Sequence, residues 1–139
     1  MVILFDRFNL PEDVLEIIFS TRQQVLAAGL LIEEFKKHDG ELGKTQMGMF
    51  ASNLHDGVEA AVPSKQDPNQ RQVEEISYNK RQFYDRILTP MKTMGMVDYD
   101  NYKKTYMLSN KFNKMLMKIG LMWTREMRKP GGGLLLKDS

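Results

Sequence analysis

The side chains best suited to binding chemistry lie close together in one short stretch of this sequence. Residues 78–94 read YNKRQFYDRILTPMKTM, and Lys80, Arg81, Gln82 and Arg86 fall within eight positions of each other. Lysine and arginine bind phosphate oxygens, whereas arginine and glutamine also hydrogen-bond to the edges of nucleobases. These residue types therefore indicate a surface for anions or nucleic acid, provided that one structural element presents them together.

An amphipathic helix over residues 78–94 would present them. Ser77 is a candidate N-cap, Gly95 a stop signal, and Pro90 lies at the edge of the apolar arc. On a wheel of 3.6 residues per turn the apolar and polar side chains separate. The apolar arc consists of Phe83, Tyr84, Ile87, Leu88, Met91 and Met94, and the polar arc of Tyr78, Arg81, Gln82, Asp85, Arg86, Thr89 and Lys92.

A second group of cations follows in residues 95–109, GMVDYDNYKKTYMLS. Apolar and polar residues alternate on both sides of a polar tip, which predicts a β-hairpin. Pairing 97 with 108 and 99 with 106 places Val97, Tyr99, Tyr106 and Leu108 on one face. The tip then carries Tyr102, Lys103 and Lys104.

Several other chemistries lack the residues that they need. Cysteine is absent, and the two histidines, His38 and His55, have no metal-binding spacing. No phosphate-binding glycine loop or nucleophile elbow occurs, and the acid pairs at 33–34 and 74–75 diverge by about 100° on a helix. We expect no enzyme activity, no metal and no cofactor.

The length of 139 residues and the 42% of hydrophobic residues predict one globular domain. The apolar run at 2–5 is too short for a signal peptide, and no run is long enough to cross a membrane. We therefore expect a cytoplasmic protein without membrane contact.

Charge is distributed unevenly along the chain. Residues 1–70 carry a net charge of −5 and residues 71–129 a net charge of +7. A local excess of cations often marks a surface that binds a polyanion. Alternatively, the two halves of the chain attract each other.

The first half is predicted to begin with two helices. Asn9 is a candidate cap for a helix over residues 9–19, and Thr21 with Gln24 forms a capping box for a helix over 22–38. The middle of the second helix, 25–32, is apolar on nearly all sides. Such a helix is buried on several sides, either inside the domain or against a second subunit. We expect a homodimer.

The next segments give weaker patterns. Residues 44–54 have helical spacing interrupted by Gly48. Residues 55–70 are rich in turn formers and are predicted to form a long loop, followed by a short helical stretch over 67–76. After the hairpin, residues 110–128 have an apolar side typical of a closing helix, and the tail 130–139 is predicted to be flexible.

The run LTPMKTMGMVDYDNYKKTYMLSNKFNKML, residues 88–116, resembles the second half of bacterial and archaeal winged-helix regulators of the MarR and PadR kind. Two departures are Phe112, where the family usually has a glycine, and the long segment 55–70. The matching residues are Leu88, Gly95, Met96, Val97, Tyr106, Leu108, Ser109 and Lys111.

This resemblance implies a mainly α-helical winged helix-turn-helix domain over residues 1–129, with extra N-terminal and C-terminal helices. Residues 44–94 would be the helix-turn-helix region and 95–109 the wing. Helix 78–94 would read double-stranded DNA in the major groove and the wing, 99–105, would contact the backbone, as in a transcriptional regulator. The candidate DNA contacts are Tyr78, Asn79, Lys80, Arg81, Gln82, Arg86, Tyr102, Lys103 and Lys104.

A second reading of the same fold is an interaction module in a transcription or replication assembly. The eleven methionines favour it, because flexible thioethers adapt to varied contact surfaces. Methionine also fills ordinary cores, and most of these residues occupy inward helical positions.

Overall fold

The computed structural model describes residues 6–63, 66–67 and 69–131. The apolar run at 2–5 and most of the predicted flexible tail lie outside these residues. Helices predominate, and five short strands form two antiparallel sheets, so the fold is mixed rather than α-helical with a single hairpin.

The helices are α1 (Val14–Ile18), α2 (Arg22–Lys37), α3 (Lys44–Asp56), α4 (Lys80–Phe83), α5 (Thr89–Thr93) and α6 (Lys111–Arg128). A π-helical turn, Tyr84–Leu88, joins α4 to α5, so that 80–93 is one continuous helical run, called helix 80–93 below. The strands are β1 (Glu41–Gly43), β2 (Val58–Pro63), β3 (Arg71–Ile76), β4 (Val97–Asp100) and β5 (Thr105–Leu108).

The predicted hairpin is present in the predicted register. Val97 pairs with Leu108 and Tyr99 with Tyr106. Strand β1, which sequence analysis did not predict, adds to the other edge of β5 and gives the order β1-β5-β4. Its central residue, Leu42, is fully buried opposite Tyr106.

The predicted loop 55–70 and the helical stretch 67–76 are wrong. Strands β2 and β3 pair antiparallel from Val58↔Ile76 to Pro63↔Arg71 and form a second hairpin. Inward positions on β2 alternate with exposed ones, and Ala60 and Val62 are buried. These strands contain no aromatic residue, and alanine and glutamate, which are uncommon in strands, lie between their four β-branched residues and weaken the strand pattern.

The N-terminal helices follow their capping residues. Helix α1 starts later than predicted, because the side chain of Asp13, and not that of Asn9, accepts a hydrogen bond from a first-turn amide, Leu15 N–H. The Thr21–Gln24 capping box of α2 is confirmed, with both reciprocal hydrogen bonds formed.

The core lies between α2, α3, helix 80–93 and the inner faces of both sheets. In α2, Ala27, Ala28, Leu31 and Phe35 are fully buried, whereas the remaining apolar residues of 25–32 are half-buried against the same cluster. The domain itself therefore covers much of this helix. Other fully buried side chains are Met47, Leu54, Ile76, Phe83, Ile87 and Met91.

Helix α6 is present as predicted, but its apolar side does not close the core. No residue of α6 is buried, and only Phe112 and Thr124 are even half-buried. The strands are consequently less enclosed than the sequence pattern predicts, and Leu108 on the hairpin is exposed.

Candidate nucleic-acid interface

Helix 80–93 begins at a capping box whose N-cap, Asn79, lies two residues after the predicted cap, Ser77. Asn79 Oδ1 accepts from Gln82 N–H at 2.8 Å, and Gln82 Oε1 accepts from Asn79 N–H at 3.2 Å. Ser77, the predicted cap, instead donates its hydroxyl to the His55 carbonyl. The side-chain oxygens of Asn79 and Gln82 are therefore occupied in holding the helix start, although both residues were predicted as DNA contacts.

Tyr78 is buried, so its assignment as an exposed DNA contact is wrong. Its backbone N–H donates to the Leu54 carbonyl at the end of α3. Tyr78 precedes the cap, and Phe83 lies at the fourth helical position, which are the two positions of a hydrophobic staple. Both side chains belong to the core cluster. The predicted wheel missed this because Tyr78 lies before the helix begins.

The π-helical turn has an identifiable cause in Pro90. Thr89 N–H donates to the Tyr84 carbonyl, five residues back, and Pro90 has no N–H to offer to Arg86. The Arg86 carbonyl accepts instead from Gln24 Nε2, at 3.4 Å, in the first turn of α2. A helix interrupted by proline is thus held against α2 by a side-chain amide.

The predicted separation of buried and exposed faces holds for the rest of this helix. Phe83, Ile87, Leu88 and Met91 are buried. The exposed side carries cations at both ends and one acid between them. Exposed residues there are Lys80, Arg81, Asp85, Arg86, Thr89, Lys92 and Thr93.

Arg81 forms an exposed ion pair within this helix. Its guanidinium lies 3.6 Å from the Asp85 carboxylate one turn later, with the arginine side chain 92% exposed. Exposed pairs of this type contribute at most about 1 kcal/mol to stability. Arg81 can therefore exchange this partner for another anion at little cost.

The tip of the β4–β5 hairpin is a tight turn that points its side chains outward. Asp100 Oδ1 accepts from the backbone N–H groups of both Tyr102 and Lys103, and Lys104 has a positive φ of 55°. Tyr102 is 98% exposed. The aromatic ring and the two ammonium groups predicted at this tip are all accessible.

A third lysine joins this tip through the backbone. Lys44 N–H donates to the Lys104 carbonyl at 3.1 Å, because β1 pairs with β5 and ends beside Thr105. Lys44, the first residue of α3, is exposed. Sequence analysis missed it, since sixty residues separate it from Lys104 and the pattern of β1 gave no strand signal.

Lys92 joins the helix to the hairpin. Its ammonium nitrogen lies 5.7 Å from the ring centre of Tyr99 and 5.8 Å from that of Tyr106, whose rings are 4.5 Å apart. Burial raises the pKa of the Tyr106 hydroxyl, so this side chain stays neutral at pH 7. A cation at this distance from two rings is attracted by them. Sequence analysis put Lys92 on the exposed arc but not among the contacts.

The second hairpin has the opposite charge. Glu59 and Glu75 are exposed and directly opposite each other across β2 and β3. Glu74 pairs with Arg22 of α2 at 2.8 Å. Helix 80–93 therefore carries four cations and one acid, and the tip of the β4–β5 hairpin carries two lysines, whereas the β2–β3 hairpin is acidic.

Among the described helices, none combines the length and the apolar composition required to cross a bilayer. No family model, no curated protein and no solved structure matches this chain.

Proposed function

We propose that this protein binds double-stranded DNA as a winged helix-turn-helix domain and acts in transcription regulation. In this proposal α3 and helix 80–93 form the helix-turn-helix, the β4–β5 hairpin is the wing, and the β2–β3 hairpin is an insertion between the two helices. The element order helix, β1, helix, helix, β4, β5 supports the assignment, as does the sheet order β1-β5-β4.

The observation that carries the proposal is the position of Lys92. A helix with an exposed cationic side is joined, at its C-terminal end, to the aromatic face of a hairpin that ends in lysines. A major groove is about 12 Å wide and admits one helix, while phosphates line both of its edges. A helix and a neighbouring cationic hairpin match that arrangement.

Each side chain then has a role set by its chemistry. Arg81 and Arg86 are the candidates for base edges, because arginine donates two hydrogen bonds to guanine. Lys80, Lys103 and Lys104 are candidates for phosphate. Three further residues have narrower roles: Asn79 and Gln82 can use only the groups not engaged in the cap, and Tyr102 can stack on a sugar or base.

The test is a titration of the purified protein against a pool of random 30-base-pair duplexes, followed by selection of preferred sequences. Arg81→Ala and Arg86→Ala should each cost about 1–3 kcal/mol on a selected site and less on random DNA, because a lost base contact reduces discrimination. Thermal unfolding should change by no more than about 0.5 kcal/mol, since both side chains are exposed.

Arg125→Ala on α6 is the matched control, because it removes an exposed arginine outside the proposed interface. It should leave discrimination unchanged. If the parent protein binds no duplex at 50 mM salt, or if all three variants behave alike, the DNA-binding proposal is wrong. The interaction-module reading would then take its place.

A further inference from the structure

Helix α6 has the largest exposed apolar surface of any element in the described chain. Eight of its large apolar side chains are at least half exposed, from 51% for Met115 and Leu116 to 69% for Met117. Soluble domains that exist as monomers rarely expose contiguous apolar patches beyond a few hundred Å². The described residues therefore leave this apolar surface without a partner.

Most of these side chains fall on one side of the helix. On a helical wheel the cations Lys111, Lys114, Lys118, Arg125 and Arg128 occupy the opposite side. Leu121 and Met117 lie among these cations, away from the apolar side. The apolar side, called the α6 stripe, consists of Phe112, Met115, Leu116, Ile119, Met122, Trp123 and Met127.

Among the described residues, the hydrogen bonds and the ion pair that hold α6 to the domain lie at its first turn. Lys111 Nζ lies 2.5 Å from an Asp98 carboxylate oxygen, and Phe112 N–H donates to the Gly95 carbonyl at 3.0 Å. The hydrogen bond from Lys111 lowers the pKa of Asp98, so this carboxylate is charged at neutral pH. From Asn113 onward every residue except Thr124 is exposed.

We infer that the α6 stripe pairs with the α6 stripe of a second copy of this chain, antiparallel and centred on Ile119. In this register Met115 lies opposite Met122 of the second copy, and Leu116 lies opposite Trp123 of the second copy. Helices that share such a stripe pack at interaxial distances of about 8–10 Å. The basic side of each helix remains in solvent. The inference depends on α6 alone and not on DNA binding.

The single acid of α6 selects the antiparallel orientation. Glu126 lies within the apolar side of the wheel, seven residues after Ile119. In an antiparallel pair it approaches the first turn of the second α6, where Lys111 and the positive end of the helix dipole lie. In a parallel pair Glu126 would lie beside its own copy, and like charges would repel.

The exposed area is sufficient for a stable pair. Six stripe residues are more than half exposed, and a buried side chain of this size removes roughly 60–120 Å² from water. Because only a little over half of each side chain is still exposed, the twelve side chains of two copies would bury about 400–800 Å² of apolar surface. Since interfaces are roughly 60% apolar, the total approaches the value of about 1,000 Å² expected of a biological interface.

The Glu126 carboxylate also disfavours binding of the α6 stripe to a membrane surface. A basic amphipathic helix can lie in the headgroup region with its apolar side toward the acyl chains. Glu126 would then enter the apolar boundary, and it would repel anionic lipid. Vesicle binding is nonetheless the alternative that the experiment must separate from self-association.

The first experiment is sedimentation equilibrium of the full chain at 1–100 µM. The parent should sediment at about twice its monomer mass of 16.1 kDa. Ile119→Asp should raise the dimer dissociation constant about a hundredfold or more, because two carboxylates meet at the centre of the interface. Leu121→Asp is the matched control, since Leu121 is equally exposed but lies off the stripe, and it should leave the constant within about threefold.

The second experiment tests the orientation, and the absence of native cysteine makes it unambiguous. Met115→Cys and Met122→Cys, mixed and oxidised, should form a disulfide between the two variants, whereas each alone should not. Equal positions in the antiparallel pair are about 10 Å apart along the axis, beyond disulfide reach. Cross-linking of each variant to itself would show a parallel pair. A monomeric parent, or one that binds anionic vesicles through Ile119 instead, would overturn the inference.

Discussion

The two hairpins of this protein have similar geometry and very different sequence signals. The β4–β5 hairpin was predicted to the residue, whereas the β2–β3 hairpin was predicted as a loop and a helix. The β4–β5 strands contain two tyrosines, and aromatic residues favour strands. The β2–β3 strands contain no aromatic residue, and half of their residues are alanine, glutamate or glutamine. Sequence patterns therefore predict best those hairpins in which side-chain pairs across the two strands are stabilising.

Cross-strand pairs give this difference a physical basis. Tyr99 and Tyr106 face each other with ring centres 4.5 Å apart. On the exposed face of the other hairpin, Glu59 faces Glu75. An aromatic pair contributes about 0.2–1 kcal/mol, and like charges directly opposite are destabilising by a similar amount. The β2–β3 hairpin therefore depends on what lies beneath it.

The two hairpins are also attached to the rest of the domain by different kinds of contact. Backbone hydrogen bonds hold the β4–β5 hairpin at its base, from Phe112 N–H to Gly95, and at its tip, from Lys44 N–H to Lys104. Side chains of α2 hold the other, through the Arg22–Glu74 ion pair and the amide of Gln23. The three predictions below compare the two hairpins, beginning with the largest expected effect.

Gly95→Ala should be among the most destabilising single substitutions in the β4–β5 region. Gly95 has a φ of +85°, and an added Cβ would lie 2.8 Å from Phe112 N and 2.9 Å from the Lys111 carbonyl carbon. Backbone strain alone costs about 1–2 kcal/mol, and the backbone contact requires α6 to move. Urea unfolding should show a loss of about 2–4 kcal/mol in the free energy of unfolding.

Gly40→Ala is the control that measures the cost of backbone strain without a steric contact of the added Cβ. Gly40 also has a φ of +85°, but a Cβ there meets nothing within 4 Å. Its cost should be limited to about 1–2 kcal/mol of strain. Equal losses at both glycines would show that the first turn of α6 is not fixed against the base of the β4–β5 hairpin.

The second prediction concerns the charged tip. Lys103→Ala with Lys104→Ala should weaken binding to all duplexes alike, by roughly tenfold at low salt, because phosphate contacts do not read sequence. The slope of log affinity against log salt should become less steep by up to about 2. Anisotropy titrations at four salt concentrations measure both quantities.

Lys114→Ala with Lys118→Ala removes the same charge from the exposed side of α6. This control pair should change the salt slope less. If both double variants lower affinity equally, net charge and not the hairpin tip determines DNA binding.

Local signals predicted much of this fold and the exposure of most of the candidate contacts. The Thr21 capping box, the register of β4 and β5, and the exposed cations of helix 80–93 depend on residues close in sequence. Strand β1 and the contribution of Lys44 depend on a partner sixty residues away. Strand β1 has three residues, which is too short for a periodic pattern, and a local pattern does not indicate a partner so far away in sequence.

Tyr78 and α6 show a different error, in which the sequence pattern did not indicate the surroundings of the side chains. Tyr78 was placed on a polar arc because the predicted helix began two residues before the first helical residue, Lys80. The apolar side of α6 was correctly identified, but periodicity does not reveal which surface covers it. The described part of the domain leaves it uncovered.

The last prediction has the smallest effect and concerns the acidic hairpin. Glu59→Gln removes one of the two charges that face each other across β2 and β3 while keeping the side-chain shape. The free energy of unfolding should rise by about 0.2–1 kcal/mol at low salt, and the gain should shrink at 1 M salt, where screening acts within about 3 Å. Urea unfolding at both salt concentrations measures the change. Glu75→Gln should give a similar gain, and the double variant should gain less than the sum of the two, because the first substitution already removes the repulsion between them. Strict additivity would mean that the two carboxylates do not interact, and that weak strand formers alone distinguish this hairpin from the β4–β5 hairpin.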